Sequence, residues 1–133
     1  MAHTTGLNHL GLTVRDLDQT TRFFNEVLGW SETARDPVYP RTTVTDGVAR
    51  LTLWQADQTA PVAFDRRANI GLHHVAFSVP SKVELDRLAD VVLNYAGARI
   101  EFMPEPMCSG PRQHFIFAEP GGLRIELVWS GED

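Results

Sequence analysis

The pattern of apolar and polar positions repeats once along the chain. Residues 7–14 read Leu-Asn-His-Leu-Gly-Leu-Thr-Val, and residues 72–79 read Leu-His-His-Val-Ala-Phe-Ser-Val. Alternation of this kind predicts a strand with one apolar face and one smaller, more polar face. Because the two stretches also match in leucine, histidine and the closing hydroxyl–valine pair, we interpret the chain as two similar halves.

A helix is predicted after each of these strands. Asp16 with Gln19, and Ser81 with Glu84, have the spacing of a capping box, in which a short polar side chain caps the helix N-terminus. Apolar residues at helical spacing follow each cap, and a glycine ends each run. The halves are thus alike in their helix as well as in their first strand.

Three strand-like stretches follow each helix, at about 30–35, 38–45 and 48–55, and at about 98–103, 113–118 and 123–129. The fold class is therefore α+β: a single domain, 1–133, of two tandem βαβββ modules at about 6–55 and 72–130, with a linker at about 56–71. One helix covers one face of each sheet, so pairing the modules predicts a curved mixed sheet around a cavity.

Strand alternation brings three potential metal ligands to the cavity face. His9 and His74 occupy equivalent positions of the repeat, and Glu126 lies on the cavity face of the last strand. Two imidazoles and a carboxylate suit Fe(II), Mn(II), Ni(II), Co(II) or Zn(II) and leave coordination positions free. The alternative is that each histidine is a hydrogen-bonded structural residue and that Glu126 pairs with Arg124.

Composition narrows the classes of function. The net charge of −5 and the pI of about 5.5 offer no basic surface for nucleic acid. No signal peptide or membrane-spanning apolar run is apparent, and Cys108 is the single cysteine. We expect a cytoplasmic protein with a small-molecule ligand.

The chain resembles the vicinal oxygen chelate superfamily, which includes glyoxalase I, fosfomycin-resistance enzymes, extradiol dioxygenases, methylmalonyl-CoA epimerase and bleomycin-binding proteins. The resemblance rests on the segments at 7–17, 23–30, 74–77 and 119–127. It implies the glyoxalase/bleomycin resistance/dihydroxybiphenyl dioxygenase fold, with the modules enclosing a metal-containing cavity. It also implies His9, His74 and Glu126 as ligands, and a homodimer with sites shared between chains.

One position departs from the pattern of the glyoxalase-like members. Glyoxalase I and the epimerase usually have a fourth ligand, Glu or Gln, on the corresponding strand of the first half, where alignment with Glu126 places Thr52. A threonine hydroxyl is a poor ligand and cannot act as a carboxylate base. The resemblance therefore leaves the reaction of this metal-dependent enzyme open between dioxygenase-like and glyoxalase/isomerase-like chemistry on a substrate that chelates through vicinal oxygens. A non-catalytic antibiotic- or metabolite-binding protein is the alternative.

Further candidates surround the predicted ligands. His114 precedes the final turn on the strand beside Glu126, and an imidazole suits proton transfer near neutral pH. A histidine bonded to backbone or solvent is the competing interpretation. Candidates for the substrate pocket are Thr52, Trp54, Tyr39, Arg41 and Arg112.

Overall fold

The computed structural model describes residues 1–57, 59 and 61–133, and its chain divides into two compact units, Met1–Pro61 and Val62–Asp133. Each unit contains one four-stranded mixed sheet and one α-helix in the order βαβββ. The predicted tandem βαβββ fold class is confirmed.

The first unit contains β1 (Leu10–Val14), α1 (Leu17–Glu26), β2 (Ser31–Asp36), β3 (Arg41–Thr45) and β4 (Arg50–Gln55). Its strands lie in the order β1-β4-β3-β2, with β1 parallel to β4 and the remaining pairs antiparallel. The first strand of the module therefore lies beside the last.

The second unit repeats this arrangement with β5 (Val75–Val79), α2 (Lys82–Leu93), β6 (Arg99–Pro106), β7 (Gln113–Ala118) and β8 (Arg124–Trp129). Its strand order is β5-β8-β7-β6, and β5 is parallel to β8. The identical strand order allows residues of the two units to be matched through the sheet register. Of the described helices, neither is long and apolar enough to cross a membrane.

Both helices begin at the predicted caps. Asp16 Oδ1 accepts a hydrogen bond from the backbone N–H of Gln19 at 2.9 Å, and Ser81 Oγ accepts one from the N–H of Glu84 at 3.1 Å. These bonds satisfy N–H groups that the first turn of a helix leaves without a partner. The predicted caps thus mark where α1 and α2 start, and the side chains of Gln55 and Asp133 accept from the first N–H group of each helix, at Leu17 and Lys82.

Each sheet packs one face against its own helix. In the first unit the buried side chains include Phe23 and Phe24 of α1 with Leu51 and Leu53 of β4. In the second unit they include these residues from α2 and the sheet: Leu85, Ala89, Phe115, Phe117, Ile125 and Leu127. Burying each large side chain contributes about 1.5–3 kcal/mol, so this packing fixes which strand residues face away from the helix.

Two predicted strands of the first unit start later than expected. Asp36 Oδ1 accepts from the N–H of Val38, and Asp46 Oδ1 accepts from the N–H groups of Val48 and Ala49. Such local bonds from aspartate stabilise turns in place of sheet pairing. The residues after each aspartate therefore belong to turns, and β3 and β4 begin at Arg41 and Arg50.

A buried carboxylate orders the turn that leads into β8. Glu119 is 1% exposed, and its Oε2 and Oε1 accept hydrogen bonds from the N–H groups of Gly121 and Leu123 at 2.8 and 2.9 Å. The backbone N–H of Glu119 also donates to the carbonyl of Leu123. These bonds set the entry of β8, the strand that carries Glu126.

Candidate metal centre

Glu126 is a buried carboxylate on the sheet face opposite α2. Its neighbours Ile125 and Leu127 point into the apolar core, so strand alternation directs Glu126 away from the helix. The side chain is nevertheless only 7% exposed, and it lies in register with Ala76 of β5 and Ile116 of β7. A carboxylate this deeply enclosed needs compensating partners.

Two imidazoles supply those partners. His74 Nε2 lies 3.1 Å from Glu126 Oε2, and His114 Nδ1 lies 2.5 Å from Glu126 Oε1. The ring of His114 also packs against Phe102, with ring centroids 5.0 Å apart. The carboxylate is therefore held between an imidazole directly before β5 and another on β7.

Arg124 does not neutralise Glu126, although both project from the same face of β8. Its Nε and Nη2 donate to the Oε1 and Oε2 atoms of Glu101 at 2.6 and 2.8 Å. Among the described residues, Glu126 forms ion pairs with the two histidines alone. The alternative in which Glu126 simply pairs with Arg124 is therefore wrong, because the Arg124 guanidinium forms its ion pair with Glu101 of β6.

The Glu101–Arg124 pair shapes the electrostatics at the edge of the centre. The guanidinium lowers the pKa of Glu101, and the carboxylate raises the pKa of Arg124. His73, whose Nδ1 lies 2.8 Å from His74 Nδ1, has its pKa lowered by partial desolvation and then by the charge of Arg124. The positive charge of Arg124 is thus already balanced by Glu101, without any bound ligand.

His9 lies in the first unit, at the position equivalent to His74. The register pairs Gly11 with Thr52 in the first unit and Ala76 with Glu126 in the second, and each histidine precedes its small residue by two. Thr52 accordingly occupies the position that Glu126 has in the second unit. His9 is exposed, and its Nδ1 is 2.8 Å from Asn8 Oδ1.

Of the predicted ligands, the structure brings His74 and Glu126 together. Within the part of the chain that the structure describes, no three histidine, cysteine, aspartate or glutamate side chains are grouped so as to hold a metal ion. The three-ligand set that includes His9 therefore stays a prediction.

The proposed pocket residues belong to both units. In the first unit the ring centroids of Tyr39 and Trp54 are 4.7 Å apart, and the guanidinium carbon of Arg41 lies 5.5 Å from the Trp54 centroid. Tyr39 and Trp54 border an open recess of about 320 Å³. Arg112 is exposed in the loop before β7, where its carbonyl accepts from the N–H of Met107. Their roles in substrate binding stay predictions.

Sequence reasoning missed Glu101. The residue sits at a β-bulge in β6, between Ile100 and Phe102, where the register against β7 shifts. A bulge changes which side chains share a face and has no clear sequence signature. The available clue was the charge of Arg124, because a partly buried guanidinium favours an acidic partner.

Comparisons with known proteins place the chain in a family context. A family model described as "Glyoxalase/Bleomycin resistance protein/Dioxygenase superfamily" matches residues 6–127. The 2-epi-5-epi-valiolone epimerase of an Actinomyces species is 28% identical, over 92% of this chain and 78% of the relative. The uncharacterised protein YqjT of Bacillus subtilis is 27% identical, over 92% and 97% of the two chains.

Solved structures show the same fold. A glyoxylase/bleomycin resistance protein/dioxygenase domain from Frankia sp. EAN1pec has a TM-score of 0.81 at 27% identity, with 95% of this chain and 92% of that chain covered. A mutant of the fosfomycin resistance protein FosX from Listeria monocytogenes, complexed with Mn(II) and 1S,2S-dihydroxypropylphosphonic acid, has a TM-score of 0.72 at 18% identity. The coverage there is 98% of this chain and 92% of that chain.

The lowered pKa of Glu101 predicts a pH-dependent contribution to stability. Because the folded-state pKa lies below the unfolded value, the stabilisation is present above the ordinary glutamate pKa of about 4.3 and is lost as the pH falls through the folded pKa. Glu101→Gln should lower the free energy of unfolding at neutral pH by less than about 1 kcal/mol, since the pair is partly exposed.

Urea denaturation of wild type and Glu101→Gln at neutral pH and at about pH 3 measures this difference, which should become smaller at the lower pH. Glu132→Gln, at an exposed position near the C-terminus, is the matched control and should show no difference at either pH. An equal deficit of Glu101→Gln at both pH values would contradict the assignment.

Proposed function

Because the chain belongs to the glyoxalase/bleomycin resistance protein/dioxygenase superfamily, we propose that it is a divalent-metal-dependent isomerase or epimerase. Its substrate would be a small molecule that binds the ion through two adjacent oxygens. The observation that carries this proposal is the buried carboxylate of Glu126 between His74 and His114. The epimerase named among the relatives supports the reaction type, and the Mn(II) complex of FosX supports the kind of ion.

The charge balance around Glu126 supports the proposal of a divalent cation. Arg124 forms its ion pair with Glu101. The enclosed Glu126 carboxylate therefore has no arginine partner among the described ion pairs. The imidazoles of His74 and His114 offset this charge only when they are protonated. A bound cation would supply the missing positive charge.

The proposed ligands are His74 through Nε2, Glu126 through Oε2, and His9 from the first unit. Imidazole nitrogens with one carboxylate oxygen suit Mn, Fe, Co, Ni and Zn, so the donor set does not select one metal. When bound, the ion would act as a Lewis acid that stabilises negative charge on a substrate oxygen.

His114 is the proposed proton-transfer residue. A hydrogen bond from Nδ1–H to Glu126 Oε1 would fix the imidazole tautomer and leave the Nε2 lone pair available as a base. None of the described residues is recorded as a partner of that Nε2. We therefore assign to Nε2 the removal of a proton from a substrate carbon next to the chelating oxygens, and its return to the same or a neighbouring carbon.

Thr52 supports this choice of base. In the first unit it stands where the second unit has Glu126, so no carboxylate is available at that position to accept a proton. An isomerase of this chain must then use a different group, and His114 contacts Glu126 without being one of the proposed metal ligands. The same bond makes Glu126 a positioning residue for His114 as well as a proposed ligand.

A second candidate function is non-catalytic ligand binding. The Tyr39–Trp54 pair borders an open recess, and Arg41 lies over the Trp54 ring, so the aromatic pair would stack a planar antibiotic or metabolite. That function would not require a metal. Metal content and proton exchange therefore separate the two proposals.

Replacing Glu126 should abolish metal retention. We expect wild type, expressed without a histidine tag and reconstituted separately with Mn(II), Fe(II), Co(II), Ni(II) and Zn(II), to retain near-stoichiometric metal after dialysis. Glu126→Gln has nearly the same shape but lacks the negative charge, so it should lose at least about tenfold in metal affinity. Elemental analysis measures both proteins, with Glu132→Gln as the exposed control. Wild type that holds none of these ions would leave the binding proposal as the better account.

Replacing His114 should separate metal binding from proton transfer. The amide of His114→Asn can still donate to Glu126 from about the position of Nδ1, but it has no group equivalent to Nε2. We expect the variant to keep its metal and to lose at least about a hundredfold in the rate of hydrogen–deuterium exchange at the substrate carbon.

Exchange is followed by NMR on a panel of small hydroxy-ketones and hydroxy-acids with metal-loaded protein in deuterated buffer. Substrates that exchange with wild type are then tested with His114→Asn. Equal exchange rates in the two proteins would remove His114 from the proton-transfer role, even if the metal site were present.

A further inference from the structure

The first unit contains a second polar recess, which has about 380 Å³ of open volume. Its polar lining consists of Asn8, His9, Thr33, Thr43, Arg50 and Thr52. The recess lies on the sheet face opposite α1. Thr42 points toward the helix, where its hydroxyl lies 2.8 Å from that of Thr21, and strand alternation therefore directs Thr43 away from the helix. The lining contains a guanidinium and no carboxylate.

The sheet register shows how this recess differs from its counterpart in the second unit. Thr45 pairs with Arg50 and Thr43 with Thr52, just as Ala118 pairs with Arg124 and Ile116 with Glu126. Arg50 is thus the equivalent of Arg124, and Thr52 is the equivalent of Glu126.

The β-bulges occur at equivalent positions of the two units as well. The register shifts between Glu32 and Ala34 in β2, and between Ile100 and Phe102 in β6. Thr33 therefore occupies the bulge position that Glu101 has in the second unit. Both carboxylates that surround the arginine in the second unit are threonines in the first, whereas the arginine itself is retained.

Within the described ranges, this exchange leaves Arg50 without a counter-ion. Arg124 is bound in a bidentate manner by Glu101, but no acidic side chain among the described residues pairs with Arg50. Glu32, which precedes the bulge in β2, is itself paired with Arg35 at 2.8 Å. The recess therefore has net positive character, whereas the second-unit centre has two carboxylates.

The threonines provide hydroxyl donors next to this charge. Thr43 and Thr52 are each only 8% exposed, yet in the described part of the chain neither side-chain hydroxyl has a recorded hydrogen-bond partner. Every described buried polar atom that is sealed from solvent does have a partner. The two hydroxyls must then be reachable from the recess, and they are available to a ligand.

We propose that this recess binds an oxyanion, the phosphate, phosphonate or carboxylate group of a small molecule, through the guanidinium of Arg50 and the hydroxyls of Thr43 and Thr52. A guanidinium fork matches two oxygens of such a group, and hydroxyls donate to the others. The inference concerns the first unit alone and does not depend on the presence of a metal ion.

The test is a titration of metal-free, full-length protein with inorganic phosphate and, separately, with acetate at constant ionic strength. Binding is followed through ¹H–¹⁵N amide shifts. We expect saturable shifts at the backbone of residues 8–9, 33, 43 and 50–52. Arg50→Gln should weaken binding at least about tenfold, because it removes a charged hydrogen-bonding partner. Thr52→Val, which keeps the side-chain shape, should weaken it to a smaller extent.

Arg22→Gln, on the exposed surface of α1, is the matched control for the loss of one positive charge and should bind as wild type does. Saturation by phosphate alone would identify a phosphate- or phosphonate-bearing ligand, and saturation by both anions would extend the class to carboxylates. No saturable shift with either anion, or equal weakening in Arg50→Gln and Arg22→Gln, would overturn the proposal. The metal content of the same preparations, measured before chelation, tests the proposed function independently.

Discussion

The second unit depends on one electrostatic constraint. The carboxylate of Glu126 is enclosed, so hydrogen-bond donors or positive charges must offset its lost hydration. The alternation of β8 forces this result, since Ile125 and Leu127 must enter the core. Burial of an ionised carboxylate without partners would cost several kcal/mol, more than a typical single contact provides. The imidazoles of His74 and His114 accordingly each contact one oxygen of the Glu126 carboxylate. A divalent cation would complete that compensation.

The two units show how one supersecondary plan can support opposite ligand preferences. The same register positions carry Glu101, Arg124 and Glu126 in the second unit, and neutral threonines flank the retained arginine in the first. In these proposals, the two positions that differ, Thr33 against Glu101 and Thr52 against Glu126, decide whether the face of a module opposite its helix favours an oxyanion or a cation. The proposed metal chemistry and the proposed oxyanion recess are consequences of the same duplicated geometry.

The sequence predicted those features that depend on local rules. The repeat and the strand alternation predicted the βαβββ order, the caps at Asp16 and Ser81, and the shared face of His74 and Glu126. The starts of β3 and β4 and the Glu101–Arg124 pair could not be predicted, because turn bonds from aspartate compete with strand pairing and a bulge shifts the register.

The most direct test of the central claim is the response of the histidine ring nitrogens to Zn(II), observed by long-range ¹H–¹⁵N NMR on uniformly labelled full-length protein. The account predicts that one equivalent of Zn(II) shifts Nε2 of His74 and a ring nitrogen of His9. It also predicts that His114 keeps its proton on Nδ1, facing Glu126. Ring signals of His74 that remain unchanged after stoichiometric Zn(II) would contradict a metal centre at this carboxylate.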